Sequence, residues 1–257
     1  MNEQGLPCDE RIDELGCGGM KIIQDASAPC FAVDAVLLAH FAAALPGERV
    51  IELGSGSGVI ALLLAYRQPD CHIRGVELIP RMAALARRSV VLNGLERRIE
   101  IIDGDIRQPQ TLGAKAAYDV VISNPPYYRA GAGRVSEDAL FAAARSELYC
   151  SLPQLLTAAQ RLCRPLGRLY LVHRSERLGE LLALLPQYGF KPSRLQLLHP
   201  YADKAAKLLL IEAFKGGRRQ LSILPPLIMY DAPNVYSKQM RAVYAAFAHM
   251  DGAEDER

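Results

Sequence analysis

The order of apolar and polar positions changes at residue 49, where short apolar runs begin to alternate with longer stretches of helical periodicity. This alternation is typical of βαβ units and favours a mostly parallel sheet with helices on both faces. The pattern predicts strands over 49–53, 74–77, 100–103, 118–123 and 167–173. It predicts helices over 57–67, 80–93, 152–164 and 176–187.

Two further predicted strands, 193–199 and 206–214, follow one another with no helical stretch between them. Consecutive strands without a crossover pair in antiparallel fashion, so these two should form a hairpin at the edge of the sheet. The sequence therefore predicts an α/β fold, with a mostly parallel seven-stranded sheet that ends in an antiparallel hairpin.

The two ends of the chain lie outside this alternation. We expect one domain over 1–257, in which 48–215 is the core and 1–47 and 216–257 are extensions of it.

Each extension has its own predicted elements. The first contains a short strand over 20–23 and an amphipathic helix over 34–41, with Asp34 as its N-cap. The second contains an apolar extended stretch over 221–230, broken by two prolines, and a closing helix over 237–250.

The composition indicates a globular protein, since half of its 257 residues are apolar and 23% are charged. Its apolar runs are far shorter than the about 20 residues that a membrane-spanning helix needs, so we expect no membrane partner. Residues 1–11 carry three acids and no apolar stretch, the reverse of a secretory signal. A cytoplasmic protein is therefore expected.

The six cysteines include no Cys-x-x-Cys pair, and no histidine follows them at a zinc-like interval. We therefore expect neither a metal site nor a disulfide, and the oligomeric state is left open.

A glycine-rich segment, Glu52-Leu-Gly-Ser-Gly-Ser-Gly58, lies where a predicted strand turns into a helix. In a doubly wound sheet this turn builds the nucleotide pocket, and Gly54, Gly56 and Gly58 would let a ligand touch the backbone. The spacing departs from the dinucleotide fingerprint, and the segment lacks the Lys-Ser/Thr of a phosphate-binding loop. A ligand without a pyrophosphate fits better, and a purely structural turn is the alternative.

Acidic residues follow at the ends of the next two predicted strands. Glu77 lies 19 residues beyond Gly58, about where dinucleotide folds place the acid that binds ribose hydroxyls; a helix-capping or solvated acid is the alternative. Asp105 follows the next strand in Asp103-Gly-Asp105. With Glu52, these acids would repel phosphates but suit a cation such as S-adenosylmethionine, which carries a sulfonium and an ammonium group.

The most specific motif is Asn124-Pro-Pro-Tyr127, directly after a predicted buried strand. Pro125 and Pro126 end the strand and fix the backbone. The side-chain oxygen of Asn124 and the carbonyl of Pro125 can accept the two protons of a conjugated amine and aim its lone pair at a methyl group, which is electrostatic preorganisation. Tyr127 can stack on a planar base, and an ordinary Pro-Pro turn is the alternative.

These residues resemble the class I S-adenosylmethionine-dependent methyltransferases that act on amines, a Rossmann-like family with an Asn/Asp-Pro-Pro-Tyr/Phe motif. The resemblance covers residues 30–215. It implies that Glu52 and the three glycines contact the methionine end of the cofactor. It implies further that Glu77 binds the ribose, that Asp105 and Ile106 contact the adenine, and that residues 124–127 clamp the target amine.

A narrower resemblance covers almost the whole chain. The segments Met20-Lys-Ile-Ile-Gln24, 30–39, Ala144-Arg-Ser-Glu147 and Tyr236-Ser237 are similar to those of the bacterial valine-tRNA adenine N6-methyltransferases, which act on adenine 37. Tyr128 stands where that family has Phe, which leaves stacking possible. Ser146 stands where the family commonly has His, so no role is carried over to it. This resemblance implies a tRNA substrate.

Three alternatives remain open from the sequence. An N2-guanine methyltransferase of ribosomal RNA has an overlapping motif, because its target is also an exocyclic amine. Protein-glutamine methyltransferases share Asn-Pro-Pro-Tyr but carry a helical domain ahead of the glycine turn, and only 47 residues precede Glu48 here. A non-catalytic RNA-binding protein on the same fold is disfavoured by the intact Asn124 and the intact cofactor acids.

The net charge of +2 conceals an asymmetry along the chain. Residues 129–250 hold 17 basic and eight acidic side chains, whereas residues 1–47 hold two and seven. The basic part follows the predicted amine clamp, which suits an RNA partner. Arginines in loops suit phosphate contact, with solvated surface charge as the alternative for each. The candidate RNA-binding residues are Tyr128, Arg129, Arg134, Arg145, Arg218 and Arg219.

Overall fold

The computed structural model describes residues 6–25, 33–125 and 150–248, and these form a central sheet with helices on both faces. The strands are β1 (Glu10–Glu14), β2 (Lys21–Asp25), β3 (Arg49–Leu53), β4 (His72–Glu77), β5 (Ile99–Asp103), β6 (Tyr118–Ser123), β7 (Cys163–Arg174), β8 (Phe190–His199), β9 (Leu208–Lys215), β10 (Ser222–Ile223), β11 (Leu227–Ile228), β12 (Tyr230–Ala232) and β13 (Val235–Tyr236). The helices are α1 (Val33–Phe41), α2 (Val59–Arg67), α3 (Pro80–Leu92), α4 (Leu152–Leu162), α5 (Leu178–Gln187) and α6 (Lys238–Ala248).

The main sheet has the strand order β5-β4-β3-β6-β7-β9-β8, which confirms the predicted fold class. Strands β3 to β7 run parallel, and β9 is antiparallel to both of its neighbours. Because helices connect the parallel strands, β3, β4, β5 and β6 all finish at one end of the sheet, here called the carboxyl end. The other end is called the amino end.

The sheet has nine strands rather than the predicted seven. The apolar stretch after β9 returns along β8, where β10 and β11 each pair parallel to it through two residues. Two prolines without N–H donors, Pro225 and Pro226, separate these short strands. The predicted hairpin is therefore present, but it does not form the outer edge of the sheet.

Three departures from the predicted elements have a clear structural reason. Strand β1 was not predicted, because its sequence Glu-Arg-Ile-Asp-Glu has no apolar alternation; an ion pair from Arg88 of α3 to Glu10, at 2.7 Å, helps to hold it. Strand β7 begins at Cys163, where the pattern predicted helix, because Cys163 pairs with Tyr118 of β6. Asp34 lies within the first turn of α1, not at its N-cap, and its Oδ1 accepts the N–H of Ala35 at 2.8 Å.

Apolar side chains fill both faces of the sheet. One core cluster includes residues of α1, α2, α3 and α6, and the other includes residues of α4 and α5. The strand ends that carry the predicted site residues are thereby fixed between two packed layers.

Candidate functional site

The glycine turn connects β3 to α2 across the end of β4. The backbone N–H groups of Gly54 and Ser55 both donate to the carbonyl of Val76, each at 2.9 Å. Gly54, Gly56 and Gly58 have φ angles of 77°, 55° and 84°, in the left-handed region that glycine adopts without strain. The three glycines therefore allow a left-handed backbone conformation that would be strained with other residues.

Glu77 joins the end of β4 to this turn. Its Oε2 accepts the N–H of Gly56 at 2.7 Å, and its Oε1 accepts the N–H of Ile79 at 2.9 Å. Burial raises the pKa of the Glu77 carboxyl, and the hydrogen bonds from Ile79 and Gly56 partly oppose this increase. A carboxylate oxygen has two lone-pair directions, so Glu77 can support the turn and still accept a ribose hydroxyl.

Glu52 is the most deeply buried acid at this end of the sheet, with 1% of its surface exposed. Burial raises the pKa of its carboxyl well above the usual value; hydrogen bonding to the Ala61 backbone opposes this in part, and the charge of Glu77 adds to it. Glu52 Oε2 and the hydroxyl of Ser55 are buried and have no hydrogen-bond partner within the described part of the chain. Such polar atoms fit a bound group that brings hydrogen-bond donors and positive charge.

Asp105 lies beyond β5, beside Glu77. The N–H of Gly104 donates to the carbonyl of Glu77 at 2.9 Å, which fixes the start of this loop. Asp105 forms a bidentate pair with Arg107, with Nε to Oδ1 at 2.9 Å and Nη2 to Oδ2 at 2.7 Å. Hydrogen bonds from Arg107 lower the pKa of the Asp105 carboxyl. Ile106 is half-buried and packs against the core that contains α4 and α5.

Asn124 and Pro125 follow β6 next to the glycine turn. Ile122 of β6 pairs with Glu52 of β3, and the buried Ser123 hydroxyl donates to the carbonyl of Leu53 at 2.6 Å. Asn124 and Pro125 are both half-buried. The structure thus brings the start of the predicted amine clamp to the end of the sheet that carries Glu52, Glu77 and Asp105.

The other predicted site residues divide into two groups. Arg218 and Arg219 are exposed and follow β9. They lie at the amino end of the sheet, because β9 ends there. Its residue Phe214 pairs with Arg168, which lies near the start of the part of β7 that pairs with β6. An RNA contact there stays a prediction, and it would need RNA that extends around to that end. The remaining residues lie outside the described part of the chain: Pro126, Tyr127, Tyr128, Arg129, Arg134 and Arg145.

A charged cluster at the end of β7 has no role predicted from the sequence. Ser123 of β6 pairs with Leu171 of β7, and the two strands are parallel. His173 comes two residues after Leu171, so it lies beside Pro125, which comes two residues after Ser123. His173 is buried, and its pKa is lowered to about 4 by burial and by the nearby Arg177. Arg177 in turn donates to both oxygens of Glu180, at 2.9 and 2.6 Å. The only signal in the sequence was a histidine at the end of an apolar strand, which is more often a core residue.

The described residues include no helix long and apolar enough to cross a membrane. They also include no group of three or more His, Cys, Asp or Glu side chains arranged to hold a metal ion.

Comparison with known proteins gives consistent results. Residues 32–182 match the family model of the methyltransferase small domain. The chain is 36% identical over 196 residues to a tRNA1(Val) (adenine(37)-N6)-methyltransferase of Aeromonas salmonicida, covering 76% of this chain and 80% of the relative. It is 30% identical over 207 residues to a protein of the same name from Porphyromonas gingivalis, covering 78% of this chain and 76% of the relative.

The fold also agrees with solved structures. The structure of a predicted O-methyltransferase from Agrobacterium tumefaciens superposes with a TM-score of 0.68 at 24% identity, covering 84% of this chain and 97% of that one. At this identity the likeness concerns the fold alone. The family match and the relatives together show that the chain belongs to the methyltransferase small domain family, alongside the proteins named tRNA1(Val) (adenine(37)-N6)-methyltransferase.

Proposed function

We propose that this protein transfers a methyl group from S-adenosylmethionine to the N6 amine of an adenine in tRNA, and that the base is adenine 37 of a valine tRNA. The observation that carries the proposal is the position of Asn124 and Pro125, directly beyond the hydrogen bond that ties Ser123 to Leu53. The names of the relatives from Aeromonas salmonicida and Porphyromonas gingivalis support the substrate and the base.

The residues at the carboxyl end of the sheet fit the cofactor. Glu52 and Ser55 carry buried oxygens that have no hydrogen-bond partner among the described residues, and they would hold its cationic methionine end beside Gly54, Gly56 and Gly58. Glu77 would accept the ribose hydroxyls, and Asp105 and Ile106 would contact the adenine. When bound, the cofactor supplies an electrophilic methyl group on a sulfonium.

Asn124 and Pro125 would prepare the target amine. The N6 nitrogen of adenine is a weak nucleophile, because its lone pair is delocalised into the ring. The Asn124 amide oxygen and the Pro125 carbonyl would each accept one amine proton, drawing the nitrogen toward tetrahedral geometry with its lone pair directed at the methyl group. The proton can leave after transfer, when the product is an acidic ammonium, so no strong general base is needed.

Access to the base sets a further requirement. A stacked base in a tRNA loop must be flipped out to reach Asn124, at a cost of a few kcal/mol that is smaller for an unpaired base. Pro126 would help to fix the clamp backbone, and Tyr127 would stack on the flipped base. Tyr128, Arg129, Arg134 and Arg145 would then contact the RNA around it.

We also propose that the chain works as one domain in the cytoplasm, where a tRNA substrate is found, with a core over 48–215. Contacts of both extensions with this core support the proposal. Arg88 of α3 pairs with Glu10 of the first extension, and in the second extension β10 and β11 pair with β8.

The test is incubation of the purified protein with labelled S-adenosylmethionine and total cellular RNA, followed by nucleoside analysis. We expect N6-methyladenosine in the tRNA fraction. Asn124→Ala should abolish methylation and leave cofactor affinity nearly unchanged, whereas Asn93→Ala, which removes an amide that binds the Lys21 backbone, should keep the activity. N2-methylguanosine as the only product would support the guanine alternative and overturn the adenine assignment.

A further inference from the structure

Four tyrosines form a continuous row of rings, here called the tyrosine row. Tyr201 lies in the β8–β9 connection, Tyr230 in β12, Tyr236 in β13 and Tyr244 in α6. The ring centroids of Tyr201 and Tyr230 are 5.9 Å apart, those of Tyr230 and Tyr236 are 5.3 Å apart, and those of Tyr236 and Tyr244 are 5.4 Å apart. Tyr230 and Tyr236 are stacked, with 19° between their planes.

Backbone hydrogen bonds fix the row to the main sheet. The N–H of Tyr230 donates to the carbonyl of Pro200 at 2.9 Å, just beyond β8. The N–H of Ser237 donates to the carbonyl of Met229 at 3.0 Å, and the Ser237 hydroxyl donates to the carbonyl of Ile228 at 2.5 Å. The rings are therefore held in place before any partner arrives, which lowers the entropic cost of binding.

The row is partly exposed. Tyr236 is 36% exposed, while Tyr201, Tyr230 and Tyr244 are half-buried. Tyr230 and Tyr244 pack against the core beneath them. The row therefore presents part of its aromatic surface to solvent.

Basic residues lie close to the row in the chain. Lys204 and Lys207 follow Tyr201, and Lys238 and Arg241 lie in α6, before Tyr244. Lys204 pairs with Asp203 at 3.0 Å, and Lys207 interacts with Glu176. Arg241 donates to the backbone oxygen of Tyr236, which holds its guanidinium beside β13. The same two segments, 199–207 and 229–244, contain only two acids, Asp203 and Asp231.

The row lies at the same end of the sheet as Asn124. Strand β8 runs parallel to β6, because β9 is antiparallel to both β7 and β8. The ends of β6 and β8 are three strand spacings apart, or about 14 Å along the sheet. One RNA molecule can therefore reach both places.

We propose that the tyrosine row stacks on unpaired bases of the substrate RNA, next to the loop whose adenine enters the site, while Lys207 and Lys238 contact its phosphates. Sequence-tolerant binding of unpaired nucleotides combines aromatic stacking with cations along the backbone. Both elements are present here at the end of the sheet where the target base must arrive. This inference rests on the proposed function.

The test measures binding and turnover separately, with an anticodon stem-loop transcript of valine tRNA as the probe. Tyr236→Ala should weaken RNA binding about tenfold or more and raise KM with kcat little changed. Tyr236→Phe keeps the ring and should bind within about twofold of the unaltered protein. The Lys207→Gln/Lys238→Gln double variant should reduce the slope of log affinity against log salt by about 2.

Matched controls make the outcome decisive. Tyr188→Ala removes a half-buried tyrosine at the amino end of the sheet, and Lys191→Gln/Lys115→Gln removes two exposed charges there; both should leave RNA affinity unchanged. Calorimetric affinity for S-adenosylmethionine should be equal in all variants, which separates a binding defect from misfolding. Unchanged RNA affinity in Tyr236→Ala, with unaltered protein that methylates the probe, overturns the inference. Unaltered protein that neither binds nor methylates any RNA overturns the proposed function as well.

Discussion

The hydroxyl of Ser123 donates a buried hydrogen bond to the carbonyl of Leu53 at 2.6 Å. These two residues are the last of β6 and β3, and the residues that follow them are Asn124 and Gly54. One side-chain contact therefore sets the spacing between the predicted amine clamp and the glycine turn.

Ser123→Ala should lower kcat by a larger factor than it raises the Kd for the cofactor, because the distance between Asn124 and the glycine turn is no longer fixed. The free energy of unfolding should fall by about 1 kcal/mol, as for one buried hydrogen bond. Ser193→Ala is the matched control, since its buried hydroxyl donates to Glu212 Oε2 at 2.9 Å in the half of β8 far from the site. Urea unfolding and steady-state kinetics would measure both variants, and equal kcat values would refute the positioning role of Ser123.

Glu77→Gln should raise the Kd for S-adenosylmethionine at least tenfold. The amide nitrogen that replaces one oxygen cannot accept the N–H of Gly56, so the turn and the ribose contact are weakened together. Isothermal titration calorimetry measures this directly. Glu100→Gln removes an exposed acid that binds Arg74 on β4, and its Kd should equal that of the unaltered protein. An unchanged Kd in Glu77→Gln would mean that the ribose lies elsewhere.

The sequence predicted the strand ends of this site well, because periodicity and glycine spacing are local signals. It placed Glu52, Glu77 and Asp105 on adjacent strands, and the strand order confirms that they finish at the same end of the sheet. It could not predict the Glu77–Gly56 hydrogen bond, because that contact joins residues 21 positions apart through the fold.

The errors have the same origin. Strand β1 is held by antiparallel pairing with β2 and by charges from α3, none of which leaves an apolar pattern in its own sequence. The early start of β7 depends on Cys163 finding Tyr118 across the sheet. Arg218 and Arg219 lie at the end of the sheet opposite the clamp, because β9 is antiparallel to β7, and an RNA contact there stays a prediction.

Glu52→Gln should stabilise the cofactor-free protein increasingly as pH rises. Burial raises the pKa of Glu52 well above the ordinary glutamate pKa of about 4.3, so the unfolded chain loses this proton at a lower pH than the folded chain does. The unaltered protein therefore loses folding stability from about pH 5 upward, by at most about 1.4 kcal/mol per pH unit for one proton. Below the unfolded pKa both states keep the proton, so the stability difference between the two proteins should no longer change with pH.

Urea unfolding at intervals from about pH 5 to about pH 8 checks this dependence. Glu100→Gln again serves as the control for replacing an acid by its amide, since the Glu100 carboxylate is exposed. The same Glu52→Gln protein should bind S-adenosylmethionine more weakly, because the negative charge that would meet the cationic methionine end is gone. A stability difference that stays constant with pH would contradict the raised pKa of Glu52.

Gly58→Ala should destabilise the protein more than Gly94→Ala, although both glycines have positive φ angles, 84° and 65°. A left-handed alanine costs about 1 to 2 kcal/mol at either position. At Gly58 the new Cβ would also lie 3.1 Å from the Cβ of Ala86 in α3, whereas at Gly94 nothing lies within 4 Å. The additional loss of unfolding free energy at Gly58 therefore measures how closely the glycine turn approaches α3. A double-mutant cycle with Ala86→Gly isolates that contact. In urea unfolding, the double variant should lose less stability than the sum of the two single variants, because Ala86→Gly removes the methyl group that the new Cβ would meet. Additive losses would show that the turn accommodates the added methyl group without a steric clash with α3.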